Sequence, residues 1–154
     1  MLAAITASSA LAAPVSEPSV ATLEVRAGNY MGIVNEWRGK MKMEHLKHDG
    51  GLERNALNTV QESNGQMKHK LNKGSFGQVL APGKCGDMNA FYSAFVGGWL
   101  CERPNLPGLN GVCNSLKSKW RHTSTGHADI LTDKKYKKIG CACSRDIWSC
   151  DLGW

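Results

Sequence analysis

Two histidines and one glutamate are the side chains in this sequence best suited to chemistry. His127 follows a Ser/Thr/Gly turn in the segment 126–143, which joins an amphipathic stretch and a basic patch to a strand with two cysteines. His69 follows a predicted helix, and Glu102 lies three residues after Trp99 near the end of another. Imidazole and carboxylate groups are the side-chain types that can act as general acids and bases near neutral pH. The alternatives are structural: a solvated loop histidine, a cation at a helix C-terminus and an exposed surface glutamate.

No recognised nucleophile or metalloprotease motif accompanies these three residues. Neither serine nor cysteine occurs in a nucleophile signature, and the helix motif His-Glu-x-x-His is absent from the sequence. The glycines of residues 71–84 are not followed by Gly-Lys-Ser/Thr, so a phosphate-binding loop of that type is not indicated. The sequence therefore permits a hydrolase without favouring one.

All six cysteines lie in the second half of the chain: Cys85, Cys101, Cys113, Cys141, Cys143 and Cys150. An even number of cysteines behind a secretory signal predicts up to three disulfides, with 15 possible pairings. A zinc–thiolate site is the alternative, but Cys141-Ala142-Cys143 lacks the two-residue gap of a zinc knuckle. The spacing favours disulfides over metal.

The first 26 residues precede the predicted domain. Residues 1–13 form an apolar Ala/Leu/Ile/Ser run that ends in Leu-Ala-Ala before Pro14, which is typical of a signal peptide that lacks its basic start. Residues 14–26 are rich in Pro, Ser and Glu and predict a linker or a pro-segment. No other stretch is apolar enough to span a bilayer. We therefore expect a secreted, extracellular protein with one domain, residues 27–154.

The predicted domain carries 18 basic and 11 acidic residues, a formal charge of +7. Such a charge favours anionic partners, for example cell-wall polymers or lipid headgroups. We find no basic stripe interleaved with aromatic residues, so nucleic acid is not an expected partner.

Hydrophobic periodicity predicts helices first and short strands late. Apolar residues recur at helical spacing over residues 30–41 and 52–67, and a third helix has the inward face Phe91, Ala94, Phe95 and Trp99. Residues 114–120 predict a short basic helix, and residues 138–143 and 147–151 predict a tight hairpin. This order indicates an α+β fold.

Taken together, the motifs resemble the CAP superfamily, the cysteine-rich secretory, antigen 5 and pathogenesis-related proteins, and among them small secreted fungal members. The family's first helix carries Asn and, three residues on, Arg, which matches Asn35 and Arg38. The next two family motifs are Leu-x-Trp-Asp and Leu-Glu-x-x-Ala, which match Leu46-Lys47-His48-Asp49 and Leu52-Glu53-Arg54-Asn55-Ala56. A histidine replaces the tryptophan of the first of these.

The later motifs keep the family order but change individual residues. The family's Gly-Glu-Asn-Leu-Ala is Gly77-Gln78-Val79-Leu80-Ala81, and Trp-x-x-Glu is Trp99-Leu100-Cys101-Glu102. Gly126-His127 begins the signature segment, which keeps the family's spacing to Ile139-Gly140-Cys141-Ala142. Within it, Ala128, Ile130 and Asp133 replace an aromatic residue, Gln and Trp. The closing Cys-Asn-Tyr motif is Cys150-Asp151-Leu152.

The resemblance implies a three-layer α-β-α sandwich stapled by disulfides, and it implies a pairing of Cys141 with Cys150. It leaves the pairing of the other four cysteines open. It also implies a cavity lined by His69, Gln78, Glu102 and His127. The family has a glutamate where Gln78 stands, and a neutral amide is a poorer metal ligand than a carboxylate. We therefore expect no cofactor beyond weak zinc binding by His69 and His127.

Two functions from different classes follow. The first is a non-enzymatic secreted protein, with an effector-like role included, that binds a lipid, a sterol, or an anionic host or cell-wall component. The alternative is a hydrolase, either a metal-dependent protease or a small basic ribonuclease, that uses His69, His127 and Glu102. The changed cavity residues favour the first.

Overall fold

The computed structural model describes residues 20–116 and 124–154, with side chains from residue 30 onward. The helices are α1 (Val20–Lys40), α2 (Gly50–Glu62), α3 (Met88–Tyr92), α4 (Val112–Ser115) and α5 (Gly126–Leu131). A π-helical segment (Ser93–Trp99) and a 3₁₀ turn (Leu100–Glu102) continue α3. The strands are β1 (Lys47–His48), β2 (Gly77–Pro82), β3 (Lys138–Ser144) and β4 (Ile147–Gly153).

The four strands form one sheet in the order β1-β3-β4-β2. β3 and β4 are the predicted hairpin, and Cys141 lies opposite Cys150 in its register. β2 pairs antiparallel with β4, so that Gln78 lies opposite Asp151, and β1 adds a short parallel pair at the other edge. β2 is therefore an edge strand whose outer side can border a cavity.

Helices cover both faces of this sheet, as the three-layer prediction requires. On one face α2 packs so closely on β3 that a Cβ at Gly140 would lie 2.1 Å from the backbone nitrogen of Glu53. On the other face Phe91 contacts Tyr30 of α1 and Trp148 of β4, with ring centroids 5.7 and 5.0 Å apart. The α+β class and the α-β-α sandwich are thus confirmed, and Gly140 is required by the contact with α2.

Successive side chains of β4 point to opposite faces of the sheet, towards α2 on one face and towards α1 and α3 on the other. Trp148, Cys150 and Leu152 belong to the large core beneath α1 and α3. Ile147 packs instead with Val60 of α2 and Leu80 of β2. Asp151 has the same parity as Ile147, so its carboxylate lies on the α2 face of the sheet.

Three disulfides close the domain: Cys85–Cys143, Cys101–Cys113 and Cys141–Cys150. The third is the pairing that the resemblance implied, and the first two settle the four cysteines left open above. Disulfides of this kind fit an oxidising compartment.

Asn35 and Arg38, which stand at the family's Asn and Arg positions of α1, form hydrogen bonds with the backbone of neighbouring segments. Asn35 makes hydrogen bonds to both the backbone nitrogen and the backbone oxygen of Leu46, at 2.9 and 3.1 Å. Arg38 is 3% exposed and donates to the carbonyls of Glu44 and Leu131, at 2.8 and 2.9 Å. Burial lowers the pKa of its guanidinium. These two side chains position β1 and the end of α5.

Three predicted boundaries differ from the structure. α1 begins at Val20, within the predicted linker, because the stretch after Pro18 has alanine, leucine and glutamate and no further proline. α2 ends at Glu62 and not near residue 67, because Asn64 and Gly65 adopt positive φ angles of 54° and 82°. Where a basic helix was predicted over residues 114–120, the structure has α4 at Val112–Ser115, and residues 117–120 lie outside the described residues.

Residues 1–13 and 14–19, predicted as a signal peptide and as the first part of the linker, also lie outside the described residues. The domain boundaries remain predictions. Over residues 20–116 and 124–154, no helix has the length and apolarity that a membrane span needs.

Candidate functional site

An open cavity of about 550 Å³ borders the edge strand β2. The loop between α2 and β2, the strand itself and the start of α5 form its walls. Four polar residues line it, His69, Gln78, Ser124 and His127, and so do five large apolar ones: Met67, Leu71, Phe76, Leu80 and Ile130. The cavity thus brings together three of the four predicted site residues.

Glu102, the fourth, lies behind the cavity wall and holds His127 in place. Its side chain is fully buried, and Oε2 lies 2.9 Å from Nδ1 of His127. Its other oxygen accepts the backbone N–H of Ala128 at 3.0 Å, in the first turn of α5. A carboxylate at a helix N-terminus is favoured by the helix dipole. The exposed-glutamate alternative is therefore wrong, and Glu102 is a positioning residue for His127.

Trp99 fixes the other side of the same imidazole. The ring of Trp99 is nearly parallel to that of His127, with centroids 6.3 Å apart. The indole nitrogen of Trp99 donates to the carbonyl of Leu80 in β2 at 2.9 Å.

The contact with Glu102 sets the tautomer of His127. Because the ionised carboxylate of Glu102 only accepts hydrogen bonds, a neutral His127 carries its proton on Nδ1 and its lone pair on Nε2.

His69 lies in the loop and not at a helix end, because α2 stops seven residues earlier. The alternative that it is a partner of the helix dipole is therefore wrong. Its Nδ1 lies 2.9 Å from Oε1 of Gln78. Gln78 thus holds His69 through a neutral acceptor, whereas Glu102 holds His127 through a carboxylate.

The backbone of Lys70 fixes which way the Gln78 amide points. Its N–H donates to Oε1 at 3.0 Å, and its carbonyl accepts from Nε2 at 2.9 Å. A reversed amide would break both bonds, so Oε1 must be the atom that faces His69. The same Nε2 lies 2.9 Å from Oδ1 of Asp151.

Asp151 is a buried carboxylate that lies behind Gln78 as seen from the cavity. It is 0% exposed and accepts hydrogen bonds from Ser75, Gln78 and Ser149 at 2.6, 2.9 and 3.1 Å. Burial raises the pKa of Asp151, and these three donors and the charge of protonated His69 oppose that rise. Asp151 is not among the predicted site residues, although its place in the closing motif, where the family has Asn, was a signal.

A second polar cluster, which the sequence did not predict, lies at the first turn of α2. The buried carboxylate of Glu53 accepts from the hydroxyl of Tyr30 and lies 2.7 Å from Nε2 of His48. The Tyr30 oxygen in turn accepts the backbone N–H of Cys141 at 3.1 Å. Burial raises the pKa of Tyr30 above its ordinary range. The signal for this cluster was His48 at the family's tryptophan position.

The cavity residues do not form an evident metal site. Over residues 30–116 and 124–154, no group of three or more His, Cys, Asp and Glu side chains is arranged to hold a metal ion. In both cavity histidines Nδ1 already has an acceptor, Gln78 for His69 and Glu102 for His127. The Gln78 oxygen in turn already accepts two hydrogen bonds. Weak zinc binding by His69 and His127 remains a prediction.

Comparisons with known proteins place this geometry in a family. The family model described as the cysteine-rich secretory protein family, CAP, matches residues 31–152. A structure of MpPR-1i, soaked with selenourea, superposes with a TM-score of 0.54 at 14% identity, over 84% of this chain and 91% of that one.

A cysteine-rich secretory protein from Staphylococcus aureus subsp. aureus Mu50 gives a TM-score of 0.53 at 16% identity. That match covers 90% of this chain and 42% of the bacterial one. A search of curated proteins finds no match. At these identities the structures show the fold, and the likeness to fungal members stays a prediction.

Proposed function

We propose that this chain, which belongs to the cysteine-rich secretory protein (CAP) family, is a secreted, non-enzymatic protein that binds a lipid or sterol in the cavity beside β2. The proposal includes an effector-like role outside the cell. One observation carries it: the cavity is lined both by exposed apolar side chains, Met67, Leu71 and Phe76, and by the polar side chains of His69, Gln78 and His127. Such an arrangement suits an amphipathic ligand with one polar end.

The volume and the lining support a small ligand. A cavity of about 550 Å³ lies within the usual range for small-molecule sites. Met67, Leu71 and Phe76 offer apolar contacts that are 45–57% exposed when nothing is bound. The imidazoles of His69 and His127 would receive a hydroxyl or carboxylate at the polar end of the ligand, and Gln78 would hold His69 in place.

The positions of the polar groups argue against the hydrolase. Glu102 was its expected carboxylate, but both of its oxygens are engaged behind His127 and its side chain is fully buried. It cannot contact a substrate in the cavity. Within the described residues, the cavity lining supplies no carboxylate to replace it.

Titration of the full chain with a fluorescent sterol and a fluorescent fatty acid tests the proposal. We expect saturable binding of one of them, and Leu71→Asp should weaken it at least tenfold, because a carboxylate at the entrance must lose water when an apolar chain enters. Leu71 is 57% exposed, so this change should not unfold the domain. Asn58→Asp adds the same charge at an exposed site of α2 outside the cavity and should leave affinity unchanged.

Two results would overturn the proposal. One is the absence of saturable binding for both probes. The other is cleavage of casein or RNA by the purified chain that His127→Ala abolishes, since that would make the cavity a hydrolytic site.

A further inference from the structure

We propose that the surface around Phe76 and Trp154 docks the protein onto an anionic lipid bilayer. Four large apolar side chains are exposed over residues 30–116 and 124–154, and all of them lie here: Met67, Leu71, Phe76 and Trp154. The first three line the cavity entrance. Trp154 does not line the cavity but stacks on Phe76, with ring centroids 3.9 Å apart. The four side chains are therefore one continuous surface, which we call the docking face.

Size and exposure set the docking face apart from ordinary surface residues. Trp154 is 56% exposed and Leu71 is 57% exposed. Single exposed apolar residues are common, but a contiguous group that contains every large exposed one among residues 30–116 and 124–154 marks an interaction site. The cavity accounts for three of its members and leaves Trp154 unexplained.

Hydrogen bonds from α2 hold the loop between α2 and β2, which carries Met67, Leu71 and Phe76 of the docking face, in place. Its backbone carbonyls at Lys70 and Lys73 accept hydrogen bonds from Thr59 and Asn55 of α2, each at 3.0 Å. Gln78 of β2 holds Lys70 from the other side. The inner side of the loop is thus occupied by polar bonds, and its apolar side chains remain outside. A surface fixed before contact loses little conformational entropy on binding.

Three cations adjoin the docking face. Arg54, Lys73 and Lys138 line a neighbouring groove of about 360 Å³, and Trp154 lines the same groove. None of the three forms an ion pair within the described residues. Asp49 is also at this groove, but its carboxylate accepts the N–H of Leu52 at the start of α2. Trp154 therefore connects an apolar patch to a set of unpaired positive charges.

A bilayer with anionic headgroups fits both halves of this surface. Trp and Phe with aliphatic neighbours insert at the headgroup boundary, while nearby Lys and Arg remain at the charged surface. A polyanion such as an acidic polysaccharide would satisfy the cations but leave Met67 and Leu71 in water. The exposed aliphatic side chains thus favour the bilayer.

Vesicle sedimentation with the full chain tests the docking face. We expect binding to vesicles of equal parts phosphatidylcholine and phosphatidylserine, and much weaker binding to pure phosphatidylcholine. Lys73→Gln should lower the affinity for the anionic vesicles about fivefold. Lys84→Gln removes the same charge at an exposed site beyond the other end of β2 and should change little.

A second variant separates insertion from charge attraction alone. Trp154→Ser keeps every charge and removes a ring that is 56% exposed, so it should also reduce vesicle binding severalfold. Circular dichroism of each variant verifies the fold. Equal affinity of Trp154→Ser and the unchanged chain, together with Lys73-dependent binding of a soluble acidic polysaccharide, would identify a polymer site and overturn the proposal. Absence of vesicle binding would overturn it as well.

Docking needs no ligand in the cavity, so this proposal and the proposed function can fail separately. Lys73→Gln lies outside the cavity lining and should leave the affinity for a soluble fluorescent sterol unchanged. Saturable ligand binding without vesicle binding would overturn docking alone.

Discussion

Gln78 and Asp151 lie directly opposite each other in neighbouring strands and are joined by a hydrogen bond of 2.9 Å from amide to carboxylate. The CAP motifs have Glu at the first position and Asn at the second, so this chain has exchanged the two groups. Either arrangement pairs one donor with one acceptor, whereas two carboxylates would repel. The exchange moves the negative charge from the cavity wall to the buried position behind it.

The exchange predicts that the two substitutions rescue each other. Gln78→Glu alone should destabilise the fold by about 2 kcal/mol or more, because a carboxylate would then face Asp151 and the Lys70 carbonyl without a donor. The double variant Gln78→Glu/Asp151→Asn should recover most of that loss. Urea unfolding of the wild type, both single variants and the double variant measures the coupling.

If the changes in unfolding free energy of the two single variants simply add up in the double variant, Gln78 and Asp151 are not energetically coupled. Asn58→Ala with Asp151→Asn is a suitable control pair, since Asn58 is exposed on α2 whereas Asp151 is fully buried in β4. Its coupling should be clearly smaller than that of Gln78 with Asp151.

The buried carboxylate also predicts a specific pH dependence. Burial raises the pKa of Asp151 in the folded state above its ordinary value of 3.8. A group of this kind stabilises the fold fully below its unfolded pKa, and this stabilisation is lost as the pH rises through the folded pKa. Compared with Asp151→Asn, the wild type should therefore lose unfolding free energy as the pH rises from about 4. Urea unfolding of both proteins across this range measures the difference.

His69 is the neighbour whose contribution must be separated from this result, because its charge acts on Asp151. The same comparison in a His69→Ala background removes that contribution. If the difference in unfolding free energy between wild type and Asp151→Asn stays constant with pH, that result contradicts a raised pKa of Asp151.

The sequence predicted the layers of the fold but not the contacts that orient the site. The inward faces of the helices were readable from their spacing, and Phe91, Ala94, Phe95 and Trp99 are all buried. The end of α2 was missed because Asn64 and Gly65 act through positive φ angles that hydrophobic periodicity does not register. Periodicity therefore recovered the apolar core and lost a boundary set by backbone conformation.

The site residues show the same division. Motif order placed His69, Gln78 and His127 on one cavity, but nothing in the sequence shows that Glu102 turns away from it to bind Ala128. Asp151 was missed because its partner is 73 positions away in the chain. Cross-strand hydrogen bonds depend on register, which a single sequence fixes only through its apolar alternation.

Glu102 predicts a distinct pattern for two substitutions. Glu102→Ala should cost about 1–3 kcal/mol, because Ala128 loses its acceptor at the start of α5. Glu102→Gln can keep that acceptor but presents an amide N–H to His127 or loses the contact. The imidazole should then move its proton from Nδ1 to Nε2. Nitrogen NMR of His127 detects the tautomer, and an unchanged spectrum in Glu102→Gln would contradict the positioning role.

Tyr30 predicts a stability effect that is unrelated to the cavity. Tyr30→Phe removes the acceptor of the Cys141 N–H and one donor to the buried Glu53. We expect a loss of about 1–3 kcal/mol in unfolding free energy, since both remaining groups are buried. Ligand affinity measured with the fluorescent sterol or fatty acid should not change. Tyr92→Phe is the control: Tyr92 is only half-buried, and its ring contact with Trp37 does not need the hydroxyl.

Zinc titration tests whether two histidines suffice for a metal when the family's glutamate is an amide. We expect weak binding at best, because Gln78 adds no charge and its oxygen already accepts bonds from His69 and Lys70. Any heat of binding should disappear in His69→Ala and persist in His45→Ala, where an exposed histidine is removed elsewhere.

The double variant Gln78→Glu/Asp151→Asn restores the family's carboxylate at the cavity and should bind zinc more tightly than the wild type. Identical isotherms for wild type and His69→Ala would exclude zinc binding at the cavity through His69, and unchanged affinity in the double variant would show that Gln78 does not limit it.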